Sequence, residues 1–173
     1  MPRGDVHDSA SGLALYVQYL ASRPLVNSGV IGEDAVVAYM TGFVVGAFLV
    51  TPDLDLAGDK PVRPLRYWGP LAIVWWPYGR LFKHRGLSHT WILGPLTRLA
   101  YLLFLLSWVG LGLAALEGLG WVSWKGGPVP QAVGAGALGY FVAQWLHLGL
   151  DALYARPRGR PPKPRGVSGA PRG

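Results

Sequence analysis

The chain has 173 residues, of which 51% are hydrophobic and 14% charged, so it is long enough for one domain but more apolar than an ordinary soluble protein. Its formal charge of +7 at pH 7 is compatible with an anionic surface or an anionic ligand. The chain contains no cysteine, which excludes disulfides and thiolate ligands, so any metal must be bound by imidazole, carboxylate or water.

Two predicted helices occupy the first third of the chain. Residues 9–22 are apolar but few and contain Gln18, so they are predicted either to cross a membrane or to lie at its surface as an amphipathic helix. Residues 35–52 are uncharged and include Gly42 and Gly46. This small-xxx-small spacing allows close approach between helices, and the segment is predicted to be a transmembrane span.

A long polar segment, residues 53–90, follows the second helix and contains an aromatic insert at residues 67–79. The insert is too short to span a membrane. Its aromatic side chains suit the lipid headgroup region, where a ring can be wet at one end and buried at the other. We therefore predict an interfacial or re-entrant segment, with headgroup contacts made by Trp68, Trp75, Trp76 and Tyr78.

The second half of the chain contains the two strongest predicted spans, residues 99–116 and 126–150. Both lack Asp, Glu, Lys and Arg, and at about 1.5 Å per residue each is long enough to cross a bilayer. The tail, residues 156–173, is rich in Pro, Gly and Arg and is predicted to be disordered. The sequence thus predicts an all-α, polytopic membrane bundle of about four spans in residues 1–155, followed by a basic tail.

The distribution of basic residues predicts the orientation of this bundle. Basic side chains are frequent in the central segment and the tail, whereas the loop at residues 117–125 has only one. By the positive-inside rule, the N-terminus, central segment and tail are cytoplasmic in the inner membrane, and the tail is expected to be a topology anchor with no nucleic-acid partner. All four histidines then fall on one side of the bilayer.

Two pairs of polar residues at predicted helix ends have the spacing of metal ligands. His147 and Asp151 are four residues apart, so on a helix they project from one face, although Asp151 pairing with Arg156 is an equally good explanation. Asp53 and Asp55 would point to one side of an extended backbone and bind a common cation. The alternative for this second pair is a solvated loop end or a helix cap.

His84 and His89 form a third pair, five residues apart. Gly86 permits a turn between them that would bring both imidazoles together, and Ser88 would then cap the helix that begins near Thr90. As an isolated pair they are also compatible with interfacial histidines that bind nothing.

Several motifs together resemble a known family. "PRGDVHD", "TPDLD", "RYWGPLAIVWWPYGRLFKHRGLSHT" and "HLGLD" occur in this order over most of the chain. They are similar to those of the uncharacterised bacterial metal-binding membrane proteins of the DUF2227 type, related to the YdjM-type (DUF457) membrane-bound metal-dependent hydrolases. The resemblance implies a divalent-metal site made by His7, Asp53, Asp55, His84, His89, His147 and Asp151.

A mixed imidazole and carboxylate site suits zinc best, with manganese or iron as alternatives. The implied ligands exceed the needs of one tetrahedral ion, so we expect two ions, or one ion whose ligands are oriented by the remaining groups. Asp55 is predicted to be the general base toward a metal-activated water. Basic residues near the site are predicted to bind a phosphate, although positive-inside topology explains them equally well; they are Arg66, Lys83 and Arg85.

Two functions follow from these expectations. The first is a membrane-bound, metal-dependent hydrolase of a phosphoester or lipid-derived substrate at the cytoplasmic face, with the bilayer and an anionic or phosphorylated compound as partners. The second is a non-catalytic membrane protein with a structural or transport-related metal site. A catalytic site retains an open position beside a pocket, whereas protein ligands close a structural site.

Overall fold

The computed structural model describes residues 4–60, 62–82, 86–120 and 130–154. Within these ranges the chain is helical and contains no strand, which confirms the predicted all-α class. The tail at residues 156–173 lies outside the described residues. The α-helices in chain order are α1 (Gly4–Asn27), α2 (Glu33–Val44), α3 (Arg63–Trp68), α4 (Trp76–Leu81), α5 (Leu93–Gly118) and α6 (Pro130–Tyr154).

In the part of the chain that the structure describes, two helical segments are long and apolar enough to cross a membrane, Glu33–Leu56 and Leu93–Gly118. They contain the spans predicted at residues 35–52 and 99–116. Helices α1 and α6 do not meet the same criterion. The arrangement with four crossings therefore stays a prediction.

Helices α2 and α6 pack with their backbones in contact, because glycines line both faces. A Cβ atom on Gly42 would lie 1.8 Å from the carbonyl oxygen of Gly136, and one on Gly139 would lie 2.0 Å from that of Tyr39. Gly46 faces the backbone of Tyr140 in the same way. The close approach expected from Gly42 and Gly46 is thus present.

The end of α2 is irregular, and α6 compensates for the irregularity. After α2 the chain makes a π-helical turn at Val45–Leu49 and then a 3₁₀ turn at Pro52–Leu56. Such turns leave carbonyl groups without their usual partners in the helix. The fully buried Gln144 of α6 donates to the carbonyl oxygens of Gly46 and Val50, at 2.9 and 2.5 Å.

The aromatic insert forms part of the core. It folds into α3, a 3₁₀ segment at Gly69–Trp75 and α4. Trp75 and Tyr78 are both 0% exposed and pack against Tyr101 of α5. The prediction that Trp75 and Tyr78 lie among lipid headgroups is wrong, because the rings are fully covered by protein. Trp76, by contrast, is largely exposed.

Because glycines form the contact between α2 and α6, the same substitution should have different effects on protein stability at two positions of α6. We expect Gly139→Ala to destabilise the protein by about 1–3 kcal/mol, because the added methyl overlaps the backbone of Tyr39. At Gly134, also in α6, an added Cβ atom would have no neighbour within 4 Å among the described residues. Gly134→Ala should therefore be neutral or stabilising by up to about 1 kcal/mol, since alanine favours the helix. Thermal unfolding in detergent would measure both, and equal effects would contradict the packing described.

Candidate metal centre

Three side chains from the two ends of the chain form a compact group. His7 in the first turns of α1 faces His147 and Asp151 in the last turns of α6, and ligand atoms of the three lie within 4.8 Å of one another. Asp151 is 3.3 Å from His7 Nε2 and 3.9 Å from His147 Nε2. Asp53, in the 3₁₀ turn after α2, lies 3.7 Å from His147 Nε2.

These distances fit a single metal ion. Ligand atoms around a tetrahedral zinc at about 2.0–2.1 Å lie roughly 3.3–3.4 Å from one another. The separations between the carboxylate oxygens and the Nε2 atoms, 3.3 to 3.9 Å, are close to this edge length. Two imidazoles and one carboxylate, with Asp53 beside them, therefore form a donor set that zinc accepts with small movements.

Burial and ring stacking favour the forms of these side chains that bind metals. The imidazoles of His7 and His147 are nearly parallel, with centroids 3.9 Å apart, and two protonated rings at this distance would repel each other. Neutral imidazole is also the ligand form. Burial raises the pKa of Asp151, but His7, 3.3 Å away, and the neighbouring imidazoles together outweigh burial and leave that pKa below its usual value.

Asp55, Ser88 and His89 form a second group beside the first. Asp55 Oδ2 accepts a hydrogen bond from the hydroxyl of Ser88 at 2.5 Å and lies 3.2 Å from His89 Nδ1. A carboxylate on one ring nitrogen fixes the tautomer and orientation of a metal-binding histidine. Asp53 lies within electrostatic range of both His89 and Asp55, so the two groups belong to one site.

The 3₁₀ backbone separates the two aspartates of the "PDLD" sequence. With three residues per turn, positions two apart point in different directions, unlike those of the extended backbone that the sequence suggested. The Asp53 side chain is 22% exposed near His147, whereas the Asp55 side chain is 0% exposed against His89. The expectation that both carboxylates point to one side is therefore wrong.

A buried arginine supports the loop that contains His89. Arg98 of α5 is 0% exposed and donates to the carbonyl oxygen of Ser88 at 2.6 Å and to Gln144 Oε1 at 2.7 Å. The N-terminus of α5 is capped by Thr90, whose hydroxyl accepts from Gly94 N at 2.8 Å. The predicted capping role of Ser88 is wrong, because the Ser88 hydroxyl binds Asp55 instead.

A cavity of about 290 Å³ opens beside the first group. His7, Asp53 and His147 line it, as do Thr51 and Arg63. A metal held by this group would face the cavity. Sequence reasoning missed Thr51, Arg63 and the adjacent Asp8, although the position of Asp8 directly after His7 was a usable signal.

The remaining predicted site residues divide into two sets. Arg66 is exposed on α3 and does not line the cavity, so no contact places it at the site. Lys83, His84 and Arg85 lie outside the described residues, and their predicted roles stay predictions.

Comparison with known proteins agrees with metal binding. A protein family described as "Uncharacterized metal-binding protein (DUF2227)" matches residues 2–159. The chain belongs to this family. An uncharacterized protein of Aquifex aeolicus (strain VF5) is 36% identical over 70 residues, which are 40% of this chain and 48% of that protein. The match thus spans about half of the relative. No solved structure matches, and kinship with YdjM-type hydrolases stays a prediction.

For this DUF2227 protein, removing one charged ligand should abolish tight metal binding. We expect Asp151→Asn to lower zinc affinity more than about 100-fold, since a direct ligand matters more than an orienting residue. Asp59→Asn makes the same chemical change at an exposed position away from the group and should leave affinity unchanged. Competition with a chelating dye would measure both, and full affinity in Asp151→Asn would exclude the proposed ligand set.

Proposed function

We propose that this chain is a membrane-embedded, divalent-metal-binding protein that hydrolyses a phosphoester or lipid-derived substrate at the cytoplasmic face. Zinc is the proposed metal, with manganese and iron as alternatives. The observation that carries the proposal is that His7 and His147, two members of the group with Asp151, line a cavity together with Asp53.

Among the described residues, the number of ligands supports catalysis over a purely structural role. Catalytic zinc sites have three protein ligands and keep one position for water or substrate. His7, His147 and Asp151 supply three ligands, and the adjacent cavity offers space for the fourth position. When bound, the metal would supply Lewis acidity and a water with a pKa lowered toward neutrality.

The two aspartates of the central motif suit different tasks in this mechanism. Asp53 lines the cavity and lies beside His147, so its carboxylate is placed to accept a proton from a water held there. Asp55 is fully buried against Ser88 and His89, which fits an orienting carboxylate. We therefore propose Asp53 as the general base, while Asp55, the base predicted from the sequence, is open to the same test.

The exposed apolar surface of α5 supports membrane embedding. None of its most apolar 18-residue stretch is buried, and large side chains such as Leu103, Phe104 and Trp108 are more than half exposed. Water would solvate this surface poorly, whereas lipid would not penalise it. The bilayer is therefore the proposed surrounding of α5.

A second candidate function also has a specific observation in its favour. Asp53 lies 3.7 Å from His147 Nε2, so a small movement would make it a fourth ligand and close the site. The metal would then hold the ends of α1 and α6 against the turn after α2, without catalysis.

Measurements of turnover and of metal retention distinguish the hydrolase from the structural metal site. If Asp53 is the base, Asp53→Asn should retain zinc but lower the hydrolysis of a chromogenic phosphoester by about 10²- to 10⁴-fold. Asp55→Asn should instead weaken zinc binding by about 10- to 100-fold, because the amide would no longer fix Ser88 and His89 beside the ligands. Zinc content and turnover of detergent-purified protein would be measured side by side.

The closed-site alternative predicts a different pattern. Zinc would bind the unchanged protein without any turnover, chelation would lower the melting temperature, and Asp53→Asn would lose the metal. The Asp59→Asn variant serves as the control for both measurements.

A further inference from the structure

We infer that the cavity beside the metal centre binds a phosphate group, and that Arg63 is the residue that recognises it. The inference rests on the proposed metal function, because the metal would bind one side of the same group. The predicted phosphate ligand of α3 was Arg66, but the structure places Arg63 of this helix at the cavity and leaves Arg66 outside it.

The cavity contains a polar group with no partner. Thr51 is 1% exposed and lines the cavity, and its hydroxyl makes no hydrogen bond within the described residues. Leaving a buried hydroxyl unpaired is costly. With a small movement of the Thr51 side chain, its hydroxyl would donate a hydrogen bond to a ligand oxygen in the cavity.

Arg63 is held at the cavity by a short ion pair. Its Nη1 donates to Asp8 Oδ2 at 2.7 Å, and Tyr67 donates to the same oxygen at 3.2 Å. The side chain also passes over Gly4, where a Cβ atom would lie 3.0 Å from Arg63 Cδ. An arginine fork has five donors and binds phosphate in a bidentate manner, so Asp8 engages only part of it.

The charge of the cavity makes anion binding depend on the metal. Asp8 and Asp53 both line it, and without a cation their carboxylates would repel phosphate. A divalent ion held by His7, His147 and Asp151 would reverse this balance, and the Arg63 guanidinium would add to the attraction of the anion. Phosphate and metal should therefore bind with positive coupling, each raising the affinity of the other.

The size of the cavity limits what enters it. Pockets for drug-sized molecules are roughly 300–1,000 Å³, so a cavity of about 290 Å³ has room for a phosphate group and a small substituent but not for a whole lipid. The phosphate could be the headgroup of a membrane lipid, with its chains outside, or part of a soluble phosphoester. Both sources share the chemistry that Arg63 and Thr51 recognise.

The test titrates inorganic phosphate into zinc-loaded, full-length protein in detergent by calorimetry. We expect Arg63→Ala to weaken phosphate binding about tenfold, whereas Arg66→Ala, which removes the same charge from the same helix, should have no effect. Asp8→Asn should tighten binding, because it frees the fork of Arg63. Thr51→Val, which removes only the hydroxyl, should weaken binding about two- to fivefold.

The expected changes in phosphate affinity are opposite for Arg63→Ala and Asp8→Asn. This difference distinguishes phosphate recognition by Arg63 from a purely structural role of the ion pair. If the ion pair only stabilised the fold, both variants would lower phosphate affinity and the melting temperature together. That result, or equal effects of Arg63→Ala and Arg66→Ala, would overturn the inference. Should Arg63→Ala not fold, unchanged phosphate binding by Thr51→Val or Asp8→Asn would also overturn it.

A second arm identifies the source of the phosphate and separates this inference from the proposed function. Phosphatidic acid and a soluble phosphomonoester would each compete with inorganic phosphate, with diacylglycerol as the phosphate-free control. Competition by either ligand that is lost in Arg63→Ala supports the inference. Phosphate binding without hydrolysis would refute the hydrolase alone, zinc binding without phosphate binding would refute this inference alone, and failure to bind zinc would refute both.

Discussion

The backbone contact between α2 and α6 is the constraint on which the site depends. Gly42 and Gly139 allow the helices to approach until side chains would overlap with the opposite backbone. This approach brings the turn after α2, with Asp53, to the end of α6, with His147. Gln144 then binds the carbonyl groups that the irregular end of α2 leaves unpaired. One helix pair, α2 and α6, thus determines the packing, the hydrogen bonds to the free carbonyl groups and the positions of the candidate ligands.

Electrostatics explains why a cation belongs at this position. Asp53, Asp55 and Asp151 lie together near the single buried guanidinium among the described residues, that of Arg98. Ionising all three carboxylates would leave more negative than positive charge among these described side chains. Such an excess is costly away from water unless it is paired. A divalent ion bound here would offset it.

Sequence reasoning recovered the parts of this structure that follow from helical periodicity. The spacing of His147 and Asp151, and that of Gly42 and Gly46, predicts which side chains share a face, and both pairs lie where expected. Sequence reasoning failed where tertiary contacts determine the position of a side chain. Nothing local distinguishes a tryptophan in the core, such as Trp75, from one at a lipid interface. Similarly, Arg63 and Arg66 are equivalent in sequence, and only the position of α3 against α1 separates them.

The turn at Pro52–Leu56 places its two carboxylates in different surroundings. An extended backbone would have directed Asp53 and Asp55 at the same ion, leaving neither for another task. The 3₁₀ conformation points Asp53 to the cavity and Asp55 to Ser88 and His89. In the proposed mechanism, the carboxylate at the cavity can exchange a proton with a substrate, while the buried one orients its partners. Two identical residues two positions apart thus meet different surroundings because of the backbone conformation.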